Sequence, residues 1–231
     1  MTVTETVFIV LEVLGTIAFA VSGAMVALQR RLDGFGVLFL GLTTALGGGC
    51  LRDVLLGRIP SAMFSHPLYA VVALATALTV FLLAYCRRTG FFGHLEQIDR
   101  VNNIFDALGL GVFTVIGVRT CVAMGFGQNA FLCIFLGLIT GVGGGVLRDM
   151  MSREIPMVLC RRIYALASIF GGAVYFLLQH LIPESAAALL GILLIFLTRM
   201  LATRYRWSLP RIGENEPKEQ PGVICPSQKK K

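Results

Sequence analysis

Lysine does not occur in this chain before Lys218, and charge of either sign is scarce: Asp, Glu, Lys and Arg together make up 14% of the 231 residues. A water-soluble domain carries about 25% charged residues, so the bilayer is the expected solvent. The net charge of +7 does not indicate nucleic acid, because all four lysines (Lys218, Lys229, Lys230, Lys231) fall in the C-terminal tail and the arginines fall between apolar runs. That placement reads as membrane topology, with lipid as partner. The six cysteines (Cys50, Cys86, Cys121, Cys133, Cys160, Cys225) lack CxxC spacing and mostly lie in apolar runs. They read as small packing residues, with no disulfide framework or zinc site. His66, His94 and His180 sit near loop ends without metal-ligand spacing. The chain has no GxxxxGK[ST], HExxH or GxSxG pattern and no paired-carboxylate motif, so no enzyme activity, cofactor or permanent metal is expected.

Apolar runs are abundant. A spanning helix needs about 20 such residues, and seven runs qualify: Val7–Leu28, Phe35–Leu56, Pro67–Cys86, Val101–Val118, Ala130–Met150, Ile163–Ile182 and Ser185–Ala202. The first has no basic residues before it and is too long for a signal peptide, so it is expected to stay as a spanning helix. Arg30 and Arg31, then Arg87, Arg88 and Arg100, then Arg153, Arg161 and Arg162, then Arg199, Arg204, Arg206 and Arg211 mark alternate connections, while the others hold only Arg58 and Arg119. The basic side is cytoplasmic by the positive-inside rule, which sets the N-terminus outside and the C-terminus inside. Residues 208–231, rich in Pro, Glu and Lys, read as a disordered cytoplasmic tail.

One short stretch occurs twice: Gly47-Gly48-Gly49-Cys50-Leu51-Arg52-Asp53 and Gly143-Gly144-Gly145-Val146-Leu147-Arg148-Asp149. Gly41–Thr44 aligns with Gly137–Thr140, and Ile59-Pro60 with Ile155-Pro156, at the same offset. On the orientation above, the second and fifth helices run in opposite directions, so residues 1–92 and 93–183 form an inverted repeat of two three-helix units. Phe19–Gly23 is aligned with Phe105–Gly109, with about ten extra residues in the second unit before its motif. Residues 184–207, the seventh helix, stand outside the repeat. The expected fold is thus an all-α polytopic membrane protein with seven transmembrane helices.

Gly47 lies roughly 18 Å along its helix at 1.5 Å per residue, close to the middle of a core about 30 Å thick. Unwinding or kinking there would free carbonyls suited to a cation and N–H groups suited to an anion. The plainer alternative is that the glycines let helices pack closely. Arg52 and Asp53, like Arg148 and Asp149, are sequence neighbours that point in different directions on a helix, so partners are expected from other helices. The guanidiniums either gate a pore or belong to a structural ion-pair network. Two more carboxylates lie within spans: Asp106, expected to line the pore or to hold the structure, and Glu12, expected near the outer interface. In the repeat alignment Asp106 falls opposite Ala20.

Two GGGxxRD motifs in helices 2 and 5 of a seven-helix chain resemble the prokaryotic branch of the trimeric intracellular cation (TRIC) channels, over approximately residues 7–202. The resemblance implies a homotrimer with a pore in every protomer, lined by helices kinked at Gly47, Gly48, Gly49, Gly143, Gly144 and Gly145. It implies Arg52, Asp53, Arg148 and Asp149 as the charged motif residues; together with the intramembrane Asp106 they are the expected pore-charge or gating residues, with K+ or Na+ held transiently near the kinks. It also implies passage of potassium and other monovalent cations in the plasma membrane of a prokaryote. The Lys-Glu-Val motif of animal members is missing. Some bacterial members of the same family are labelled glycine transporters, so a secondary transporter of a small zwitterion is the rival expectation.

Overall fold

The computed structural model describes residues 3–65, 67–86, 95–160 and 163–205. The expected tail, His66, His94, Arg87, Arg88, Arg161, Arg162, Arg206, Arg211 and Cys225 lie outside the described residues. Every regular element among the described residues is helical. Seven long helices follow the seven apolar runs: α1 (Val3–Gln29), α2 (Gly34–Leu55), α3 (Leu68–Cys86), α4 (Leu95–Cys121), α5 (Ala130–Met151), α6 (Ile163–Leu178) and α7 (Glu184–Arg204). Six are long and apolar enough to cross a membrane, whereas α6, at 16 residues, is shorter. It gives way after Leu178 to turns that lead into Pro183. The Leu181 N–H closes a tight turn on the Leu178 carbonyl at 2.9 Å.

Local chemistry sets the helix ends. Asp33 starts α2 by accepting the Gly36 N–H at 2.7 Å, and Asn129 starts α5 by accepting the Leu132 N–H at 3.0 Å. Both are N-caps that satisfy donors the first turn leaves open. The last turns of α2 and α5 finish alike: Arg58 N–H reaches the Asp53 carbonyl and Glu154 N–H reaches the Asp149 carbonyl, each at 2.8 Å. This six-to-one closure needs a left-handed residue just past the helix. It is Gly57 (φ 67°) after α2 but Arg153 (φ 55°) after α5. A one-turn helix follows each end, Ala62–Ser65 and Met157–Cys160. Beyond Cys121, α4 continues as one wider π turn, Val122–Phe126, with Gly125 at φ 91°.

The helices α2 and α5 cross at the centre. α1 lies against α2 and α4 against α5, while α3 flanks the first pair and α6 and α7 flank the second. Gly23 of α1 faces Leu40, Gly41 and Thr44, and Gly117 of α4 faces Leu136, Gly137 and Thr140 in the same manner. Phe19 and Phe113 stack where α1 meets α4, with ring centroids 5.2 Å apart. These contacts match Gly23 with Gly117 and Phe19 with Phe113, which corrects the alignment of Gly23 with Gly109. On this register Glu12, not Ala20, corresponds to Asp106. Outward faces stay apolar: Leu68, Val71, Leu78 and Leu82 of α3, and Leu189, Leu193 and Leu197 of α7, are exposed, as in a chain whose solvent is hydrocarbon.

Candidate functional site

The triple glycines sit where α2 crosses α5. A Cβ on Gly48 would overlap the Thr140 carbonyl, and a Cβ on Gly144 would overlap the Thr44 carbonyl. Gly47 faces Leu147, and Gly143 faces Leu51 and the Gly48 backbone. Both helices continue without interruption through their glycines. The expected unwinding is therefore corrected: main-chain groups that would have been freed stay in the helical ladder, and the glycines serve close approach. Gly49 and Gly145 point away from the crossing, toward the guanidinium of the arginine three residues on, and Gly145 also toward Asp106 and Tyr164.

Each motif arginine bonds its own neighbour, which was not expected, and Arg148 in addition has the expected partners from other helices. Arg52 Nε donates to Asp53 Oδ1 at 2.8 Å, and Arg148 Nε donates to Asp149 Oδ1 at 2.8 Å. The pairs occupy the last turns of their helices, and a long guanidinium stem folds back there with no further turn to block it. The second aspartate oxygen holds the chain that follows. Asp53 Oδ2 accepts from Ser61 Oγ at 2.7 Å and from the Ala62 N–H at 2.8 Å, and Asp149 Oδ2 accepts from the Met157 N–H at 2.8 Å. The motif Asp thus caps the one-turn helix after the span.

The surroundings then differ. Arg148 is fully buried, and its Nη1 donates to Asp106 Oδ1 of α4 at 2.9 Å and to Ser22 Oγ of α1. Ser22 passes a bond on to Asn102 Oδ1 at 2.7 Å. Tyr164 of α6 donates to Asp106 Oδ1 at 3.3 Å. Arg199 of α7 reaches Asp106 Oδ2 at 3.5 Å and Asn103 Oδ1 at 3.2 Å, and lies 4.4 Å over the Tyr164 ring. Two arginines and two aspartates, all buried, so balance one another, and helices α1, α4, α5, α6 and α7 each contribute a side chain. Such a cluster tolerates burial only because each charge is paired.

Around Arg52 the corresponding space is open. A cavity of about 540 Å³ is lined by Glu12, Thr16, Gly49, Arg52, Asp53, Arg58, Ser61, Tyr69, Phe113, Ile116 and Thr120. Tyr69 donates to Glu12, as Tyr164 does to Asp106. Glu12 is therefore a cavity wall residue. Of the foreseen site residues, Arg148, Asp149, Asp106 and Gly145 come together in the sealed cluster, and Gly49, Arg52 and Asp53 line the cavity. Gly47, Gly48, Gly143 and Gly144 form the crossing between them.

Sequence reasoning missed Arg199, Ser22, Asn103, Tyr69 and Tyr164. Arg199 carries a signal in the sequence: it lies inside the seventh apolar run, where a guanidinium needs an acidic partner, although its place near the end of that run also fits a topology arginine. Among the described residues no group of three or more His, Cys, Asp and Glu side chains gathers into a metal-binding arrangement.

Comparisons with known proteins bear on the family and the fold. The family model described as Glycine transporter matches residues 9–85 and 103–180. The inner membrane protein YadS of Escherichia coli, assigned to UPF0126, is 38% identical over 89% of this chain and 96% of its own length. A UPF0126 membrane protein of Deinococcus radiodurans is 37% identical over 87% of this chain and 89% of its own. Among solved structures, a prokaryotic TRIC channel crystallised in 0.5 M KCl superposes with a TM-score of 0.79 at 31% identity, covering 89% of this chain and all of that one. The TRIC orthologue from Rhodobacter sphaeroides gives 0.76 at 32% identity, over 87% of this chain and 100% of that one. This chain is a multi-pass membrane protein, and it belongs to the family described as Glycine transporter, shared with the UPF0126 proteins and the prokaryotic TRIC channels.

Proposed function

We propose that the protein is a monovalent cation channel conducting potassium, assembled as a homotrimer with a pore in each protomer. It crosses the plasma membrane of a prokaryote seven times, with the N-terminus outside. Its two three-helix units, residues 1–92 and 93–183, are an inverted repeat, and residues 184–207 add a seventh span.

The observation that carries this reading is the cavity beside Gly49, where the Glu12 and Asp53 carboxylates and the Tyr69 hydroxyl line a space among spanning helices. Carboxylates offset the repulsion that Arg52 alone would exert on a passing cation. The pore runs along the α2–α5 crossing, and K+ or Na+ pauses near the glycines. In this reading the buried Asp106, Arg148 and Arg199 cluster closes the far half in the non-conducting state. In the conducting state α2 and α5 bend at Gly47–Gly49 and Gly143–Gly145, and Arg52, Arg148 and their aspartates gate the path.

Purified protein in planar bilayers bathed in potassium chloride should show unitary currents. Arg52→Ala and Arg148→Ala should alter conductance or open probability, and unchanged currents in both would count against the gating role.

A secondary transporter of a small zwitterion such as glycine is the second reading. It is favoured by the description of the family model and by a cavity that presents a carboxylate, Glu12, together with two guanidiniums, Arg52 and Arg58. Saturable uptake of labelled glycine into proteoliposomes without unitary currents would decide for it.

A further inference from the structure

Cys121 closes α4 and Cys133 lies in the first turns of α5, on either side of the π turn and the Asn129 cap. Both side chains are fully buried, and their sulfurs lie 2.9 Å apart, with Cys133 Sγ also 3.4 Å from the Phe126 carbonyl. The apolar wall around them is made by Val118, Leu136 and Tyr175. Bond formation between two sulfurs needs a separation of about 2.05 Å and side chains that point at each other. The pair meets the second condition and is within about 0.9 Å of the first.

We propose that Cys121 and Cys133 are a redox pair that closes to a disulfide and staples the end of α4 to the start of α5. The two cysteines are twelve positions apart, with no spacing that marks a thiol motif, so their pairing arises only from the helix–turn–helix geometry. Closure is a thiol–disulfide exchange with the disulfide of a small thiol or a thiol oxidase. One cysteine thiolate attacks a sulfur of the partner disulfide, and one partner thiolate leaves. The second cysteine then attacks the mixed disulfide and releases the other. Two S–H groups become one S–S bond, and the partner disulfide is reduced to two thiols. On the orientation proposed above, both cysteines lie at the outer end of their helices, the side where disulfides persist. The staple fixes the first turns of α5 to α4, so any bending of α5 at Gly143–Gly145 moves only the half that carries Arg148 and Asp149.

The full-length protein in nanodiscs is oxidised with copper phenanthroline, acid-quenched, denatured, alkylated with N-ethylmaleimide and digested. The expected result is a cross-linked pair of peptides containing Cys121 and Cys133, lighter by two hydrogens, with alkylation lost at both positions. In Cys121→Ser protein, Cys133 should remain alkylated after the same treatment. Full alkylation of both cysteines in the oxidised wild-type protein overturns the proposal, as does equal cross-linking of Cys133 to Cys50 or Cys86. A parallel sample has its thiols trapped at cell lysis. A linked pair there supports both the redox pair and the outward orientation. A reduced pair that closes on added oxidant supports the redox pair while counting against the orientation.

Discussion

Glu12 on α1 and Asp106 on α4 hold corresponding places, and each accepts a bond from a tyrosine, Tyr69 or Tyr164. Each lies near an arginine that ends a glycine-rich helix and is bonded to its own aspartate. Yet Asp106 is sealed among Arg148, Arg199 and Ser22, whereas Glu12 looks into a cavity that Arg52 also lines. The repeated motif builds the same helix end twice, and the neighbours decide whether it becomes a plug or a vestibule. What the second half has in addition is α7, which delivers Arg199 and fills the space beside Asp106. Among the described residues no second arginine reaches Glu12 as Arg199 reaches Asp106; α3 supplies Tyr69 there, and its alanines Ala77 and Ala84 pack further along α1 and α2.

The contrast predicts unequal responses to like substitutions. Asp106→Asn leaves Arg148 and Arg199 with a single remaining carboxylate in a buried site, a loss of about 3–5 kcal/mol. Detergent-solubilised protein should melt markedly earlier or fail to run as a single peak on size-exclusion chromatography. Wild-type-like melting would break the comparison on its sealed side.

Gly48→Ala and Gly144→Ala test where the halves should behave alike. Each methyl meets a main-chain carbonyl across the same crossing, so both should cost about 1–3 kcal/mol and by similar amounts. A large difference in melting temperature between the two would show that the crossing is not shared evenly.

Glu12→Gln removes a charge that faces a cavity, and its stability cost should be about 1 kcal/mol. Its effect belongs to transport: potassium conductance in bilayers should fall while the melting temperature stays close to wild type. An unchanged conductance would remove Glu12 from the path and weaken the vestibule reading.

The smallest expected effect lies at the helix ends. Arg153 holds the left-handed conformation that Gly57 holds after α2, so Arg153→Gly should stabilise, and Gly57→Ala should destabilise, by about 0.5–1 kcal/mol. Chemical denaturation of the two variants side by side checks the opposite signs.

The positions of α1 to α7 were legible because hydrocarbon imposes length and polarity limits that few soluble elements imitate, and the doubled motif with Asp106 pointed to the central residues. The register of α1 against α4 was not. Phe19–Gly23 and Phe105–Gly109 are both small-residue helical stretches with the same local pattern, and only the contacts of Gly23 and Gly117 distinguish the alternatives. Arg199 was obscured because its partner Asp106 lies 93 positions away, beyond any local pairing rule. The self-pairing of Arg52 and Arg148 was missed because neighbours on a helix diverge in general, and the exception depends on where the helix stops. Cys121 and Cys133 looked like packing residues, since a turn of unknown geometry separated them.

The crossing of α2 and α5 is a joint of main chain on main chain. A clash between side chains can be relieved by shortening the opposing residue, so genetic screens usually recover a compensating change nearby. At Gly48 and Gly144 the opposing atom is a carbonyl oxygen that every amino acid carries. A selection for revertants of Gly48→Ala should therefore return glycine itself, or distant changes that shift a whole helix, and no local suppressor at Thr140.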